Sequence, residues 1–364
     1  MAAMIFKCPN CGGDLRFAPE KQRFQCEYCL SEFSQEQMEQ SSVQIEEMEQ
    51  SIREEDFLRE KAEEENSDIV SKEERSVMYS CPNCGAEIVT DETTAATFCY
   101  FCHNPVVLSG RMQGAYHPDG VIPFAMDREK AREIFEQWIA RKKYLPKAFY
   151  APEQLEKMAG VYFPYWLYDC EVEGELEGEG RTQKLWTEGN LQFTRTEKYD
   201  INRKGTMEIH NLTRNALSKG NRKLVEGVMP FDMTQMQAFQ MGYLSGFLAE
   251  NRDMEKEQFA QEVGAEVSAF AEQSLKSSVS GYDSVQYRKK ETRVCESHWR
   301  YVLMPVWTMT YKDPKTDKVY YFACNGQTGK VCGELPVDPG RLMGLFLSCF
   351  IPVLIVLLVI GYWI

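Results

Sequence analysis

In VIPFAMDREKAREIFEQWIARKKYLP, residues 121–146, Ala131, Ile134, Phe135, Trp138 and Ile139 recur three and four residues apart. That spacing puts them on one face of a helix, entered from a short strand through an N-capping Asp127 and stopped by Pro146. The period then changes to two. In VYFPYWLYDCEVEGELEGEGRTQ, residues 161–183, Glu171, Glu173, Glu175, Glu177 and Glu179 alternate with a set that includes Val172 and Leu176. This predicts a strand with one wet acidic face and one apolar face. No turn converges the carboxylates as a calcium loop would, so a solvated sheet face is favoured over a cation or basic-peptide site. Further strands are expected at 191–200, 205–213, 283–295, 298–311 and 317–324, with Asn325-Gly326 in NGQTGK signalling a hairpin. Two helices are expected between them. One, MTQMQAFQMGYLSGFLAEN, begins near Thr234; the other, from Asp253, carries Phe259, Val263, Val267 and Phe270 on a common face.

Val-x-x-Pro-x-Trp occurs twice, at 161–166 and 302–307. Two strands that each plant a Trp suggest related β units in one antiparallel sheet, with Trp166 and Trp307 in the core rather than lining a ligand groove. Strands interleaved with helices make the class α+β.

The ends of the chain differ from this body. Residues 342–364, LMGLFLSCFIPVLIVLLVIGYWI, hold 23 residues without a charge. As a helix they span about 34 Å, enough for a hydrocarbon core of about 30 Å. Pro352 is tolerable in such a span, Tyr362 and Trp363 suit the far interface, and Arg341 marks the near edge. The expectation is a single-pass tail anchor in the cell membrane, with the rest of the chain on the cytoplasmic side. The mean hydropathy of −0.44 fits a soluble body with one apolar tail. MAAMIFKCPNC leads straight into the first cysteine pair, which leaves no room for a signal peptide.

Charge singles out one segment. Of the net charge of −14, residues 36–76 contribute −10, from 15 acidic and 5 basic residues. The segment lacks Pro and Gly, and Met38, Ile45 and Ile52 form a heptad seam with Met48 between them. Two readings stand: a solvated helical spacer, or a docking helix for a coiled-coil partner.

The chemistry lies in the cysteines. Cys8, Cys11, Cys26 and Cys29 form two Cys-x-x-Cys pairs separated by 14 residues, and Cys81, Cys84, Cys99 and Cys102 repeat the frame with the same 14-residue gap. Each pair aims two sulfurs at one point, and two pairs complete a tetrahedron of thiolates suited to Zn²⁺. Gly12 and Gly85 follow the second Cys of each first pair, where the turn calls for a positive φ. The stretches between pairs hold too few apolar residues for a core, so metal must supply folding energy, about 10–16 kcal/mol per structural site. CYFCH at 99–103 matches the haem-attachment pattern, but haem would orphan Cys81 and Cys84, and Leu30 stands where His103 would be in the first set. A closed four-Cys site has no open position for catalysis. Cys170, Cys295, Cys324 and Cys332 lack metal-like spacing and read as buried neutral thiols. Cysteines in tight pairs within a larger chain indicate a reducing cytosol.

The four histidines, His103, His117, His210 and His298, form no ligand or catalytic frame, and no phosphate loop, dinucleotide fingerprint or nucleophile elbow occurs. The chain therefore reads as a non-enzyme. Nucleic-acid binding needs a basic footprint. Residues 7–35 balance Lys7, Arg16, Lys21 and Arg23 against Asp14, Glu20, Glu27 and Glu32, and residues 77–110 carry Glu87, Asp91 and Glu92 with no Lys or Arg. Four thiolates on zinc add about −2 per site.

The tandem CPNCG frames, the acidic spacer, VYFPYWLYD, MGYLSGFLAE, YYFACNGQTGKVCGELPVD and the apolar terminus together resemble bacterial transcription-factor-IIB-type zinc-ribbon membrane proteins. The resemblance implies a place in an envelope-stress module, beside a PspA-type coiled-coil protein and a virion-core-like, SPFH-related protein, which relatives help bring to the membrane. The expected organisation is ribbon 1 at 1–35, an acidic helical linker at 36–76, ribbon 2 at 77–110, an α+β domain at 111–340 and a transmembrane anchor at 341–364. The expected cofactors are two structural Zn²⁺. The expected function is a membrane-anchored adaptor recruiting soluble proteins; a membrane-tethered nucleic-acid binder and a thiol or zinc redox sensor remain alternatives, and an oligomer is compatible with all three.

Overall fold

The computed structural model describes residues 6–38, 76–81, 87–91, 93–99, 105–108, 112, 116–142, 144–218, 226–314 and 316–363. Most of the acidic segment, including Ile45, Met48 and Ile52, lies outside these residues, as do Cys84, Gly85, Cys102 and His103. The chain divides into two compact units. The first comprises Met1–Pro164, Lys219–Asn251 and Leu303–Ile364, the second Tyr165–Ser218 and Arg252–Val302.

The first unit begins with β1 (Leu15–Ala18), β2 (Arg23–Cys26) and β3 (Glu32–Phe33), a small antiparallel sheet. Ser34 and Gln37 then form a reciprocal capping box, Ser34 N–H to Gln37 Oε1 at 2.8 Å and Gln37 N–H to Ser34 Oγ at 3.4 Å, which opens the helix expected at the start of the acidic segment. β4 (Ser76–Ser80) pairs with β5 (Glu87–Asp91), and β6 (Thr94–Phe98) with β7 (Pro105–Val107). After β8 (Gly120–Val121), α1 (Arg128–Ala140) forms as its sequence predicts: Asp127 accepts from Lys130 N at 2.8 Å, and Ala131 and Phe135 are buried. The short α2 (Pro152–Leu155) leads into β9 (Ala159–Glu188), which runs on into the second unit and pairs there with β10 (Leu191–Asn215). Gly205 does not interrupt β10, because it sits opposite Gly174 in the register; the two strands expected at 191–200 and 205–213 are one.

The helix expected from Thr234 does not form. The segment makes 3-10 turns at Met233–Gln235 and Met241–Leu244, β11 (Gln237–Ala238) and β12 (Leu248–Glu250). Gly246 at φ +95° breaks any helical path, and Phe239, Tyr243, Leu244 and Phe247 are all buried, so no single helix face serves them. After α3 (Ala260–Ser277) comes β13 (Ser284–Lys312), a single strand where two were expected. β14 (Val319–Asn325) and β15 (Val331–Gly333) form the hairpin expected at NGQTGK, and the chain continues to α4 (Pro339–Trp363). The strand order in the large sheet is β11-β8-β13-β9-β12-β6-β7, with β14 on β13. β12 joins β9 in parallel and β6 antiparallel, so β6 and β7, on either side of Cys99, belong to this sheet, while β4 and β5 form a two-stranded sheet of their own.

Aromatic packing holds the first unit. Phe124 stacks on Phe247 at 4.2 Å and meets Tyr162 and Trp307 edge-on at 5.0 and 5.1 Å. Trp307 is buried, as expected, and its Nε1 donates to Met126 O at 3.3 Å. Asn325 is fully buried: its Oδ1 accepts from the N–H groups of Gln327 and Thr328, and its Nδ2 donates to Val228 O and Pro230 O. The Asn of the hairpin therefore also clamps a distant loop.

In the second unit β9 lies between β10 and β13. The period of two holds: Cys170, Val172, Gly174, Leu176, Gly178 and Gly180 are buried, and the odd-numbered glutamates lie on the other side. Salt bridges occupy two of those glutamates, Glu175 with Lys289 at 2.8 Å and Glu179 with Arg181 at 2.7 Å. The glycines open space for the covering layer, since a Cβ at Gly174 would meet Leu275 Cδ1 of α3 at 2.7 Å. Val263, Val267, Ala271 and Leu275 form the buried face of α3; Phe270, expected among them, is 54% exposed, because the stripe continues one residue later at Ala271. Each fully buried Val or Leu contributes about 1.5–3 kcal/mol. Trp166 is buried as expected, donates Nε1–H to Met254 O at 3.0 Å and lies under the Arg252 guanidinium at 4.9 Å.

Candidate metal centre

Two tight turns bring the first cysteine set together. In the first, Gly12 N–H bonds Cys8 O at 2.8 Å and Cys8 N–H bonds Gly13 O at 2.7 Å; in the second, Leu30 N–H bonds Cys26 O and Cys26 N–H bonds Ser31 O, both at 3.0 Å. The residue after the last Cys of each turn has a positive φ, +72° at Gly12 and +59° at Leu30. The glycine was legible in the sequence; the leucine, in a conformation that costs a β-carbon about 1–2 kcal/mol, was not. Antiparallel pairing of β1 with β2, Leu15 opposite Cys26, sets the two turns side by side.

All four sulfurs, of Cys8, Cys11, Cys26 and Cys29, lie within 4.8 Å of one another. Cys8 Sγ is 3.6 Å from Cys29 Sγ, and Cys11 Sγ is 3.5 Å from Cys26 Sγ. A tetrahedral Zn²⁺ with Zn–S bonds of 2.3 Å would set its sulfurs about 3.8 Å apart, so the donor set is close enough to hold a metal ion. Electrostatics point the same way. Ser31, through its hydroxyl and then its N–H, pulls the Cys29 thiol down to about 6. The Gly13 N–H favours the Cys11 thiolate, but the Cys29 sulfur, loss of hydration and the Cys26 and Cys8 sulfurs outweigh it and the thiol is pushed up to about 12. Four thiolates this close would repel one another, so the donor set suits a shared cation. Cys8 and Cys26 are buried, Cys11 and Cys29 exposed.

Gly13 escapes a reading of Cys-x-x-Cys spacing. Its N–H lies 3.4 Å from Cys11 Sγ, and a Cβ there would stand 3.2 Å from Cys26 Sγ and 3.3 Å from Cys11 Sγ. The doubled Gly12-Gly13 was the signal available.

The cysteine sheet is packed against residues 241–247 of the same unit. Phe17, Phe24 and Tyr243 form an aromatic triad with centroids 5.1–5.9 Å apart. Ser245 Oγ donates to Leu15 O at 2.5 Å, Phe17 N–H to Ser245 O at 3.2 Å, and Tyr243 Oη to Gln35 Oε1 at 2.6 Å. A Cβ at Gly242 would meet Phe24 at 2.9 Å, which explains a glycine there.

Of the second set, Cys81 and Cys99 are buried in one cluster with Tyr79, Val106 and Leu108. Cys84 and Cys102 lie outside the described residues. Among the other cysteines expected to be buried, Cys170 and Cys324 are, but Cys332 is only half-buried and Cys295 is exposed.

At the other end, Pro339–Ile360 is long and apolar enough to cross a membrane, and none of it is buried against the protein. Asp338 caps α4 through Gly340 N–H at 2.9 Å, and Arg341 donates to Leu145 O at 2.9 Å, tying the start of the helix to the first unit.

No family profile matches the chain. No solved structure matches it either. The chain is similar to a Bacillus subtilis (strain 168) protein described as "Uncharacterized protein YdjG", at 27% identity over 74% of this chain and 93% of that one.

Proposed function

We propose that this chain is a non-enzymatic membrane adaptor. Cys8, Cys11, Cys26 and Cys29 hold a structural Zn²⁺, and Cys81, Cys84, Cys99 and Cys102 hold a second in a ribbon of the same kind. α4 anchors the chain in the cell membrane, and the body on its cytoplasmic side gathers soluble proteins. The resemblance suggests PspA-type and SPFH-related partners in an envelope-stress response.

The observation that carries this reading is the convergence of four sulfurs on a sheet of ten paired or part-paired residues, too small to fold on apolar burial. Zinc supplies rigidity there, and four thiolates leave no coordination position for a substrate. The exposed α4 supports the anchor. Metal analysis of purified full-length chain is expected to give two zinc ions, with one lost in a Cys8→Ser/Cys11→Ser variant. Partner capture from membrane extracts is then compared between the two. A metal-free chain, or an unchanged partner set, would count against the zinc or the recruitment part respectively.

One observation favours a thiol sensor as a second reading: Cys11 and Cys29 are exposed and the Cys29 thiol is lowered to about 6. Alkylation of the zinc-loaded chain separates the two, since a structural site protects both thiols.

A further inference from the structure

We propose that the tip of the β9–β10 hairpin in the second unit binds an anionic lipid surface. The tip, Lys184–Arg195, turns through Gly189-Asn190, with Gly189 at φ +60°. A glycine in that conformation at the first central position suits the two-residue hairpin turn. The third strand does not reach this far. Asp283, just before β13, donates its N–H to Arg181 O and accepts from Gln183 N–H, and the chain then leaves toward α3. Beyond Gln183 the hairpin projects as two strands.

Such a ribbon is marginal in water and is normally polar. This one is not. Leu185 is 58% exposed, Trp186 47%, Leu191 65% and Phe193 38%. Trp186 and Phe193, directly opposite in the register, stack at 5.5 Å with planes 15° apart. On the same face, two residues or about 6.7 Å further from the tip, Lys184 stands opposite Arg195. Like charges directly opposed destabilise a strand pair; Glu197 offsets part of that repulsion by holding Arg195 at 2.8 Å, and a lipid phosphate at Lys184 would offset the rest.

The order from the tip inward on this face is Leu191 opposite Glu188, then the Trp–Phe pair, then the Lys–Arg pair. Aromatic rings favour the headgroup level of a bilayer, and basic side chains just above them meet lipid phosphates. Residues 181–198 carry four basic residues against Glu188 and Glu197, a net +2 in a chain of net −14. Arg181 and Lys198 are engaged by Glu179, and Arg195 contacts Glu197 at 2.8 Å, which leaves Lys184 as the cation at this tip without a carboxylate among the described ion pairs. The aromatic pair set between an apolar tip and a basic rung matches the layering of a bilayer interface; an acidic protein, whose interfaces also take aromatic anchors, is the occupant that the bromine arm of the test distinguishes.

This inference rests on the membrane reading for the nearness of a bilayer, and the test reads the two separately. Full-length chain carrying Trp363→Phe is combined with vesicles of phosphatidylcholine, alone or with phosphatidylglycerol, with and without brominated acyl chains. The Trp186 signal is the difference from the same chain with Trp186→Phe, which preserves an aromatic stack. Retention after carbonate washing, scored on the same samples, reports α4. The expected result is bromine quenching and a blue shift of Trp186 in the phosphatidylglycerol vesicles, with affinity for the anionic lipid weaker by about thirtyfold or more in Lys184→Glu/Arg195→Glu. Absence of both quenching and shift overturns the inference, whether or not the chain is retained. A blue shift without bromine quenching also overturns it, since protein rather than lipid then covers the tip.

Discussion

Replacing Gly13 by Ala tests the metal centre at a position that is not itself a ligand. The added methyl would lie 3.0 Å from Tyr28 Cβ, 3.2 Å from Cys26 Sγ and 3.3 Å from Cys11 Sγ. Sulfurs held by bonds of about 2.3 Å to a metal cannot retreat without opening the tetrahedron. The same change disturbs the Gly13 N–H that lies 3.4 Å from Cys11 Sγ. Losing an outer-shell partner of this kind lowers metal affinity about 10–100-fold. The stiffer unfolded chain returns only about 0.4–1 kcal/mol. Gly12→Ala is the control, for it has open space but sits at φ +72°. Its strain of about 1–2 kcal/mol weakens folding-coupled binding by about fivefold or more, without moving the sulfurs. Competition of Zn²⁺ against Co²⁺ on the full-length chain measures both variants, and the difference from wild-type cobalt spectra isolates this site. Gly13→Ala is expected to shift the thiolate–cobalt bands, and Gly12→Ala to leave them in place. Wild-type affinity within a factor of about two, with an unshifted spectrum for Gly13→Ala, would refute the argument that these four sulfurs close around one ion.

Leu30→Gly should act oppositely, relieving the φ of +59° and slowing zinc loss to a chelator; about 1 kcal/mol is at stake. Gly178→Ala should destabilise the second unit by about 1–3 kcal/mol, because its Cβ would stand 2.8 Å from the backbone oxygen of Gln286; Gly174→Ala, which meets the side chains of Leu275 and Met207 rather than backbone, should cost less, and thermal melts of the two compare them. Glu272, held by Lys276 and Lys290, titrates at about 2. Its folded value lies below the ordinary glutamate value of about 4.3, so the stability it lends is present above that range and is lost as pH falls through about 2. A carboxylate titration followed by NMR should place its midpoint there and show it rising in Lys290→Ala.

The elements that were legible were those whose period and punctuation agree. α1 has an apolar stripe and an Asp cap, and β9 has strict alternation, so each needs only its own residues to be recognised. Residues 234–251 failed for a physical reason. Phe239, Tyr243, Leu244 and Phe247 look like a helical set, yet they serve different neighbours, Tyr243 the cysteine sheet and Phe247 the Phe124 cluster. A pattern shared among several partners carries no period of its own. The role of the glycines of β9 went unread for a related reason. Alternation with glutamate announced a strand, but nothing local showed that Gly174, Gly178 and Gly180 are the floor on which Leu275 of α3, Tyr287 of β13 and Tyr282 just before it rest.

The cysteine frame shows the same division within one site. Spacing alone announces the ligands, because a Cys-x-x-Cys turn is a local object. What orients them is only partly local. Ser31 lies two residues from Cys29 within the same turn, whereas Gly13 sits between Cys11 and Cys26, whose sulfurs are 15 residues apart in sequence. The sheet that bears them is held by Tyr243 and Ser245, more than two hundred residues away. A metal site that only had to fold itself would need none of these last contacts. Their presence means that the rigidity of the cysteine turns is passed directly to the strand segment at 241–250, which enters the large sheet through β12. Loss of the metal should therefore raise hydrogen exchange at Gly242–Glu250 as well as at the turns. Exchange that changed only at residues 8–31 would show the sheet to be a separate appendage and remove the structural link between metal and body.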